Sequence, residues 1–127
     1  MEFTITAKFN ATAEEIYRAW LSTDQHAQMT GGDADVSDSI GGSFTAWDGY
    51  IVGKNLDLEP YERIVQSWRT SEFKDDEEDS QIEITLRELQ GEVELTLKHT
   101  NLPSNGEQYR KGWEEHYFQP MRRYFSE

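Results

Sequence analysis

Apolar and polar side chains alternate along the first ten residues of the chain. Phe3, Ile5, Ala7 and Phe9 fall on one side, and threonine, lysine and asparagine residues take the other. A period of two is typical of a strand with one buried face. We therefore predict a strand over residues 2–10, and this segment does not have the form of a signal peptide.

A helix is predicted directly after this strand. Thr12 and Glu15 have the spacing of a capping box, in which each side chain satisfies a backbone N–H of the other residue. Apolar residues then recur at helical spacing on one face, as far as Trp20. The helix is expected over about residues 12–22.

The next segment predicts a short helix and then a loop. A helical turn is expected over residues 24–29, with Thr23 or Asp24 as its N-cap. Residues 30–42 are rich in Gly, Asp and Ser, which predicts a loop, with one short strand near residues 34–37.

Alternating segments separated by turn residues fill the middle of the chain. Asp48-Gly49 predicts a hairpin turn, and Pro60 either ends a strand or opens the next turn. The charged residues 72–80 are expected to form a hairpin loop, and Gln90-Gly91 turns the chain again. Five strands are therefore expected, near 43–48, 50–58, 62–71, 82–87 and 93–99.

The last element is predicted to be a long helix. Ser104 and Glu107 have the spacing of a second capping box, and Pro120 is expected to kink the helix. The helix should be about 20 residues, or about 30 Å, long. One apolar stripe runs down it, formed by Tyr109, Trp113, Tyr117, Met121, Tyr124 and Phe125.

This order of elements predicts one α+β domain over residues 1–127. About six or seven antiparallel strands form the sheet, helices pack on one face of it, and the other face is in contact with water.

Composition narrows the classes of partner. The formal net charge of −13 disfavours nucleic acid and anionic membranes as partners. The chain has no cysteine, so disulfides, thiolate catalysis and cysteine-bound zinc are excluded. No segment approaches the roughly 20 apolar residues of a membrane helix. We expect a cytoplasmic protein.

Several segments together resemble a known family. They read YRAW, GGSFTAWDGYIVGKNLDLEPYERIVQSWR, ITLRELQGEVELTLKHTNLP and GWEEHYFQPMRRYF. The chain resembles the activator of heat shock protein 90 ATPase homologue domain, within the START-like or SRPBCC superfamily. The resemblance implies a helix-grip fold, in which a curved antiparallel sheet wraps around the long C-terminal helix. In the eukaryotic co-chaperone of this family, a similar domain forms the C-terminal half, whereas other members of the superfamily are carriers of hydrophobic ligands or cyclases.

Few residues have the spacing of a catalytic or metal site. His26 and His116 are expected at the surface. His99 continues an apolar strand face, which predicts either a hydrogen-bonded residue at the rim of the core or a polar anchor in a pocket. The acidic residues 75–79 lack the spacing of a calcium loop. No nucleophile elbow or phosphate-binding glycine motif is present. We therefore expect no catalytic residue, no metal and no cofactor.

The aromatic residues give the best candidate for a site. They are more numerous than a small core needs, which indicates either ordinary packing or a ligand cleft between the sheet and the last helix. Arg69 is a further candidate that would supply a charge. The candidate ligand-binding residues are Phe44, Trp68, His99, Trp113 and Tyr117.

Three functions follow as hypotheses. The first is a non-enzymatic binding module for an apolar or amphipathic small molecule, as a monomer or a homodimer. The second, implied by the resemblance, is a co-chaperone or stress-response protein that binds the heat shock protein 90 chaperone and stimulates its ATPase. The third is a cyclase-like or dehydratase-like enzyme that uses His99 with a nearby carboxylate.

Overall fold

The sheet is the largest element of the computed structural model, which describes residues 1–126. Its 7 strands are all antiparallel to their neighbours, in the order β1-β7-β6-β5-β4-β3-β2. The α+β class and the predicted strands are confirmed. The strands are β1 (Phe3–Phe9), β2 (Asp35–Val36), β3 (Ser43–Ala46), β4 (Ile51–Glu59), β5 (Arg63–Thr70), β6 (Ser80–Leu89) and β7 (Glu92–Thr100).

Helix α1 spans Ala13–Trp20 and begins at the predicted capping box. The Thr12 hydroxyl accepts a hydrogen bond from the Glu15 backbone N–H at 3.1 Å, and the Glu15 carboxylate accepts one from the Thr12 N–H at 2.9 Å. Two N–H groups that the helix leaves free at its start are thereby satisfied.

Helix α2 spans Thr23–Thr30, and its predicted N-cap is wrong. The cap is Ser22, whose hydroxyl accepts a backbone N–H of the first turn at 3.2 Å, and both Thr23 and Asp24 lie inside the helix. The hydroxyl of Thr23 is already used, since it accepts the Val36 N–H at 2.8 Å. This bond ties α2 to the short strand β2.

The C-terminal helix changes its winding before the proline. Gln119 N–H donates to the Glu114 carbonyl, five residues back, which widens the turn into a π-helix. Pro120 has no N–H for the α-helical pattern and its ring crowds the preceding turn, so an altered winding at this point has a direct cause. The sequence predicted the position of this irregularity, but as a kink. The three segments are α3 (Gln108–Trp113), a π-helical segment (Glu114–Phe118) and α4 (Gln119–Tyr124).

The predicted capping box at Ser104 and Glu107 is wrong. Residues 104–107 form turns, and the helix starts after Glu107 with no side-chain cap. The Gly106 N–H donates to the Pro103 carbonyl at 2.9 Å, and the Glu107 carboxylate accepts instead from Arg110 at 2.6 Å. The Glu107 carboxylate is therefore not available to the Ser104 N–H that a capping box would pair it with.

The helices pack on one face of the sheet, and polar side chains cover the other, as predicted. On β7, Val93, Leu95 and Leu97 are fully buried, whereas the alternating residues Thr96 and Lys98 contact water. The stripe of the C-terminal helix lies against this apolar face, as in the helix-grip arrangement. The helix and sheet therefore share one core, and the site described below lies at one end of it.

Strands β4 and β5 approach each other closely at Gly53. A Cβ atom at this residue would lie 1.9 Å from the Ser67 carbonyl oxygen and 2.6 Å from Cε1 of Phe44. Only glycine fits this spacing. It allows the ring of Phe44 to pack into the core, where this side chain is 4% exposed.

Candidate functional site

An aromatic cleft of about 420 Å³ lies between the turn of the β3–β4 hairpin, strand β5 and the C-terminal helix. This volume falls in the range of small-molecule sites, about 300–1,000 Å³. Of the described residues 1–126, no Asp, Glu, Lys or Arg lines it. The lining residues are Trp47, Tyr50, Ile51, Trp68, Gln108, Tyr109, Gly112, Trp113, His116 and Tyr117.

The hairpin turn places Trp47 at the cleft. Trp47, Asp48 and Gly49 have φ angles of 51°, 61° and 88°, a left-handed run that only glycine adopts without cost. The Asp48 carboxylate accepts the Asp33 N–H at 2.9 Å and holds the turn. Gly32 makes room for the indole, because a Cβ there would lie 2.5 Å from the Trp47 ring. The turn at Gly49 and the space left at Gly32 thus determine the position of Trp47, which forms one wall of the cleft.

The C-terminal helix forms the opposite wall. Tyr109, Trp113 and Tyr117 follow at intervals of four residues and are each less than 10% exposed. Their spacing puts them on one face of the helix. Between them lies Gly112, where an added Cβ would meet no atom within 4 Å. The cleft is therefore open at the residue where the helix lacks a side chain.

A chain of hydrogen bonds joins the C-terminal helix to strand β5 behind the cleft. The Trp113 indole N–H donates to Nδ1 of His99 at 3.0 Å. Since Nδ1 accepts, Nε2 carries the proton and donates to the Ser80 hydroxyl at 2.9 Å. That hydroxyl donates to the Trp68 carbonyl at 2.6 Å. These three directional bonds set the position of the helix wall relative to strand β5.

His99 has no exposed surface, and this burial lowers its pKa to about 3. The ring is therefore neutral near pH 7. Both of its nitrogens are bonded within the protein, and the chain of bonds ends on a backbone carbonyl rather than on a carboxylate. This geometry agrees with the first interpretation of His99, a hydrogen-bonded residue of the core, but the ring is fully buried and does not lie at the rim. An acid–base pair of His99 with a carboxylate is absent from the described residues.

The prediction that His26 lies at the surface is wrong, because this residue is only 1% exposed. Its Nδ1–H donates to the Trp20 carbonyl at 2.8 Å, and its Nε2 accepts from the Tyr117 hydroxyl, also at 2.8 Å. Burial lowers the pKa of His26 and raises that of Tyr117. His26 is buried because α2 packs against the C-terminal helix at Tyr117. These two segments are far apart in the sequence, so no local pattern reveals this burial. His116 is exposed, as predicted, and lies edge-on to Trp47.

Tyrosine hydroxyls supply the polar rim of the cleft. Tyr50 donates to the Glu72 carboxylate, and the hydroxyls of Tyr109 and Thr70 share a hydrogen bond of 2.8 Å. Burial raises the pKa of both tyrosines, which therefore keep their protons near neutral pH. The rim presents neutral hydroxyl groups around an apolar interior.

Of the five residues predicted to bind a ligand, Trp68, Trp113 and Tyr117 line the cleft. Phe44 and His99 do not. Phe44 lies in the core beneath Gly53, and His99 lies behind Trp113, so both support the walls without lining them.

Arg69, the candidate charge, points away from the cleft. Its guanidinium bonds to the Asp79 carboxylate at 2.6 Å and to the carbonyls of Glu77 and Lys74 at 3.1 and 3.0 Å. It thus organises the charged loop that follows β5.

Among residues 1–126 no group of acidic or histidine side chains has the arrangement of a metal site.

The sequence contained signals for some of the residues that were missed. Tyr109, Gly112 and His116 lie within one helical turn of Trp113, the first candidate on this helix. A helical wheel centred on Trp113 would have included them. Trp47 and Tyr50 flank the predicted Asp48-Gly49 turn, but their direction depends on the left-handed backbone there.

A second hollow, of about 700 Å³, lies between α1, the start of α2 and the turn after β4. Charged and hydroxyl side chains, including Arg18, Ser22 and Asp38, contribute to its lining. None of the predicted residues is among them.

Across residues 1–126 no helix is both long and apolar enough to span a membrane.

The comparisons with known proteins agree on one family. The family described as Activator of Hsp90 ATPase homolog 1-like protein matches residues 10–126. The human Activator of 90 kDa heat shock protein ATPase homolog 1 is 28% identical over 125 residues, which are 98% of this chain and 37% of the human protein. A homologue from Dictyostelium discoideum is 25% identical, over 94% of this chain and 31% of its own length. The chain thus spans about a third of the curated relatives that it matches.

Solved structures confirm the fold. An HSP90 activator from Plasmodium falciparum superposes with a TM-score of 0.83 at 20% identity, covering 94% of this chain and 91% of that one. At this identity the likeness is one of fold. It supports the predicted helix-grip arrangement and leaves the ligand and partners to be argued from this chain's own residues.

Proposed function

We propose a non-enzymatic binding function for this chain, which belongs to the Activator of Hsp90 ATPase homolog 1-like family. Its ligand is an apolar or amphipathic small molecule held in the aromatic cleft, and the protein acts in the cytoplasm. The observation that carries the proposal is the composition of the cleft: six aromatic rings besides His116, without a formally charged side chain among the lining residues.

The walls of the cleft are suited to a ring-bearing ligand. Trp68 and Trp113 lie 5.5 Å apart, and Trp113 and Tyr117 lie 4.8 Å apart between ring centroids. Such clusters offer both ring faces and ring edges to a further ring. The hydroxyls of Tyr50 and Tyr109 at the rim would orient a polar end of the ligand. Apolar lining with a few polar groups is the usual composition of a specific small-molecule site.

A non-enzymatic role is supported by the state of the titratable groups near the cleft. His99 is sealed behind Trp113 with both nitrogens bonded, and the tyrosine hydroxyls are held in their protonated form by burial. General acid–base catalysis needs a group whose pKa lies near the working pH and which reaches the substrate. His99 meets neither requirement in this arrangement.

Native mass spectrometry of the protein purified from its own cells tests the proposal, with the denatured protein as control. We expect a mass surplus that disappears on denaturation. Gly112→Leu should abolish the surplus, because a side chain added there enters the cleft without meeting an atom within 4 Å of its Cβ. Lys111→Leu is the matched control, since this exposed neighbour does not line the cleft. A surplus that survives Gly112→Leu would place the ligand elsewhere.

The second candidate function is co-chaperone action, in which this chain binds a 90 kDa heat shock protein and stimulates its ATPase. The naming of the human and Dictyostelium relatives as activators of that ATPase supports it. The test is the ATPase rate of the chaperone from the same organism with increasing amounts of this chain. An unchanged rate at saturation would remove activation as the function. Gly112→Leu separates the candidates, because it fills the cleft and leaves every side chain outside the cleft unchanged.

A further inference from the structure

Strand β1 is a free edge of the sheet. The strand order places β1 at one end and the two-residue strand β2 at the other. With 7 residues, β1 is the longer edge strand, and it pairs on one side only, with β7. A long edge strand is a template for pairing with another strand, unless charged side chains, prolines or a covering segment prevent it.

The charges on β1 and its first flanking residue are arranged symmetrically. Glu2 and Lys8 are the only charged side chains in the first ten residues, and both are exposed. Thr4 and Thr6 lie between them, also exposed. Glu2 and Lys8 are equally far from Ile5, on opposite sides of it and with opposite sign.

We propose that β1 is a homodimer interface, in which it pairs antiparallel with β1 of a second copy of this chain. In this register Ile5 faces its own counterpart. Glu2 of each copy then faces Lys8 of the other, and Thr4 faces Thr6. An antiparallel pair of identical strands is a two-fold, self-complementary contact. Opposite charges and paired threonines placed directly across two strands stabilise the pair.

Only this register pairs the charges. A shift of the second strand by two residues in either direction places Glu2 or Lys8 opposite a threonine. Lys8 also faces Glu94 across the β1–β7 pair, so in the dimer it would lie between two carboxylates. Among residues 1–126 neither Glu2 nor Lys8 forms an ion pair, which leaves both free for the second copy.

The start of the strand is held in place for pairing. The amino group of Met1 donates to the Leu102 carbonyl at 2.8 Å, and the Leu102 N–H donates to the Met1 carbonyl at 3.0 Å. These bonds extend the attachment of this segment to the sheet past Phe3, the first residue of β1. Glu2 therefore lies in a defined position rather than on a fraying end.

The net charge sets the conditions of the test. Each copy carries a formal charge of −13, which repels a second copy over a long range. Salt at 0.15 M, with a Debye length of about 8 Å, screens this repulsion more than it weakens charges in direct contact. The dimer should therefore be measured at this salt concentration or above.

Sedimentation equilibrium of the full chain, over a wide concentration range, is the experiment. We expect a monomer–dimer equilibrium, weakened roughly tenfold or more by Lys8→Glu or by Glu2→Lys alone, because each converts two attractive pairs into repulsive ones. The double variant should restore the dimer. Lys54→Glu, on an exposed residue of β4, has the same net charge as Lys8→Glu and should dimerise like the wild type.

The charge exchange makes the result specific for this interface. Restored association in the double variant shows that residues 2 and 8 face each other, and a thermal melt of each variant confirms that it is folded. A wild type that stays monomeric at every concentration would overturn the proposal. So would a dimer whose affinity neither single reversal changes, since its interface would then lie on another surface.

Discussion

Lowering the pH from 7 to 5 is expected to destabilise this protein through His99, and replacing His99 with glutamine should remove that part of the loss. The ring has no exposed surface, and burial lowers its pKa to about 3. Glutamine keeps one hydrogen-bond donor and one acceptor for Ser80 and Trp113 but does not titrate. Comparing the wild type with His99→Gln therefore separates the effect of protonating His99 from the effect of its hydrogen bonds.

The sign follows from the direction of the pKa shift. In the unfolded chain a histidine has a pKa of about 6.5, so between about pH 6.5 and pH 3 the unfolded state binds a proton that the folded state excludes. Stability therefore rises with pH across this window and is lost as the pH falls below about 6.5. Each unit below that value costs about 1.4 kcal/mol. Between pH 7 and pH 5 the contribution of His99 is about 2 kcal/mol.

Urea unfolding at pH 7 and pH 5, followed by tryptophan fluorescence, measures the effect. His99→Gln should be less stable than the wild type at pH 7, but its loss between the two pH values should be smaller by about 2 kcal/mol. Carboxylates and His26 contribute equally to both proteins and cancel. His116→Gln is the control for removing an exposed histidine. An equal loss in wild type and His99→Gln would refute the reasoning, because it would mean that His99 takes up its proton in the folded state.

Three further substitutions test the fold. Gly53→Ala should cost about 3 kcal/mol in urea unfolding, since its Cβ would lie 1.9 Å from the Ser67 carbonyl oxygen, and a loss under 1 kcal/mol would mean that the strands separate freely. Thr12→Ala should cost about 1 kcal/mol and lower the melting temperature, because it removes the cap that accepts from Glu15; an unchanged temperature would contradict that role. Gln66→Leu should cost about 2 kcal/mol or more, because it leaves two buried polar groups without their partner, and a neutral result would show that water replaces it.

Local patterns were sufficient for most of the secondary structure. The alternation in β1, the capping box at Thr12 and the turn at Gln90-Gly91 depend on neighbours within a few residues, and each is found in the structure. The capping box at Ser104 failed although its letters are correct. Its glutamate bonds to Arg110 instead, and the helix begins only after this glutamate, with no side-chain cap.

The cleft depends on contacts between residues that are distant in sequence. The spacing of Trp113 and Tyr117 along the helix indicates that they share a face, and the sequence thereby determined one wall. Trp47 reaches the cleft through a left-handed turn and the space left by Gly32, which are 15 residues apart in the chain. His26 has no local pattern that marks it as buried, and the alternation along β7 places His99 on the apolar face but does not indicate its partners. Their bonds to Tyr117, Ser80 and Trp113 span between 14 and 91 residues. The tertiary structure alone decided these positions, because burial and hydrogen-bond partners are properties of the packed chain.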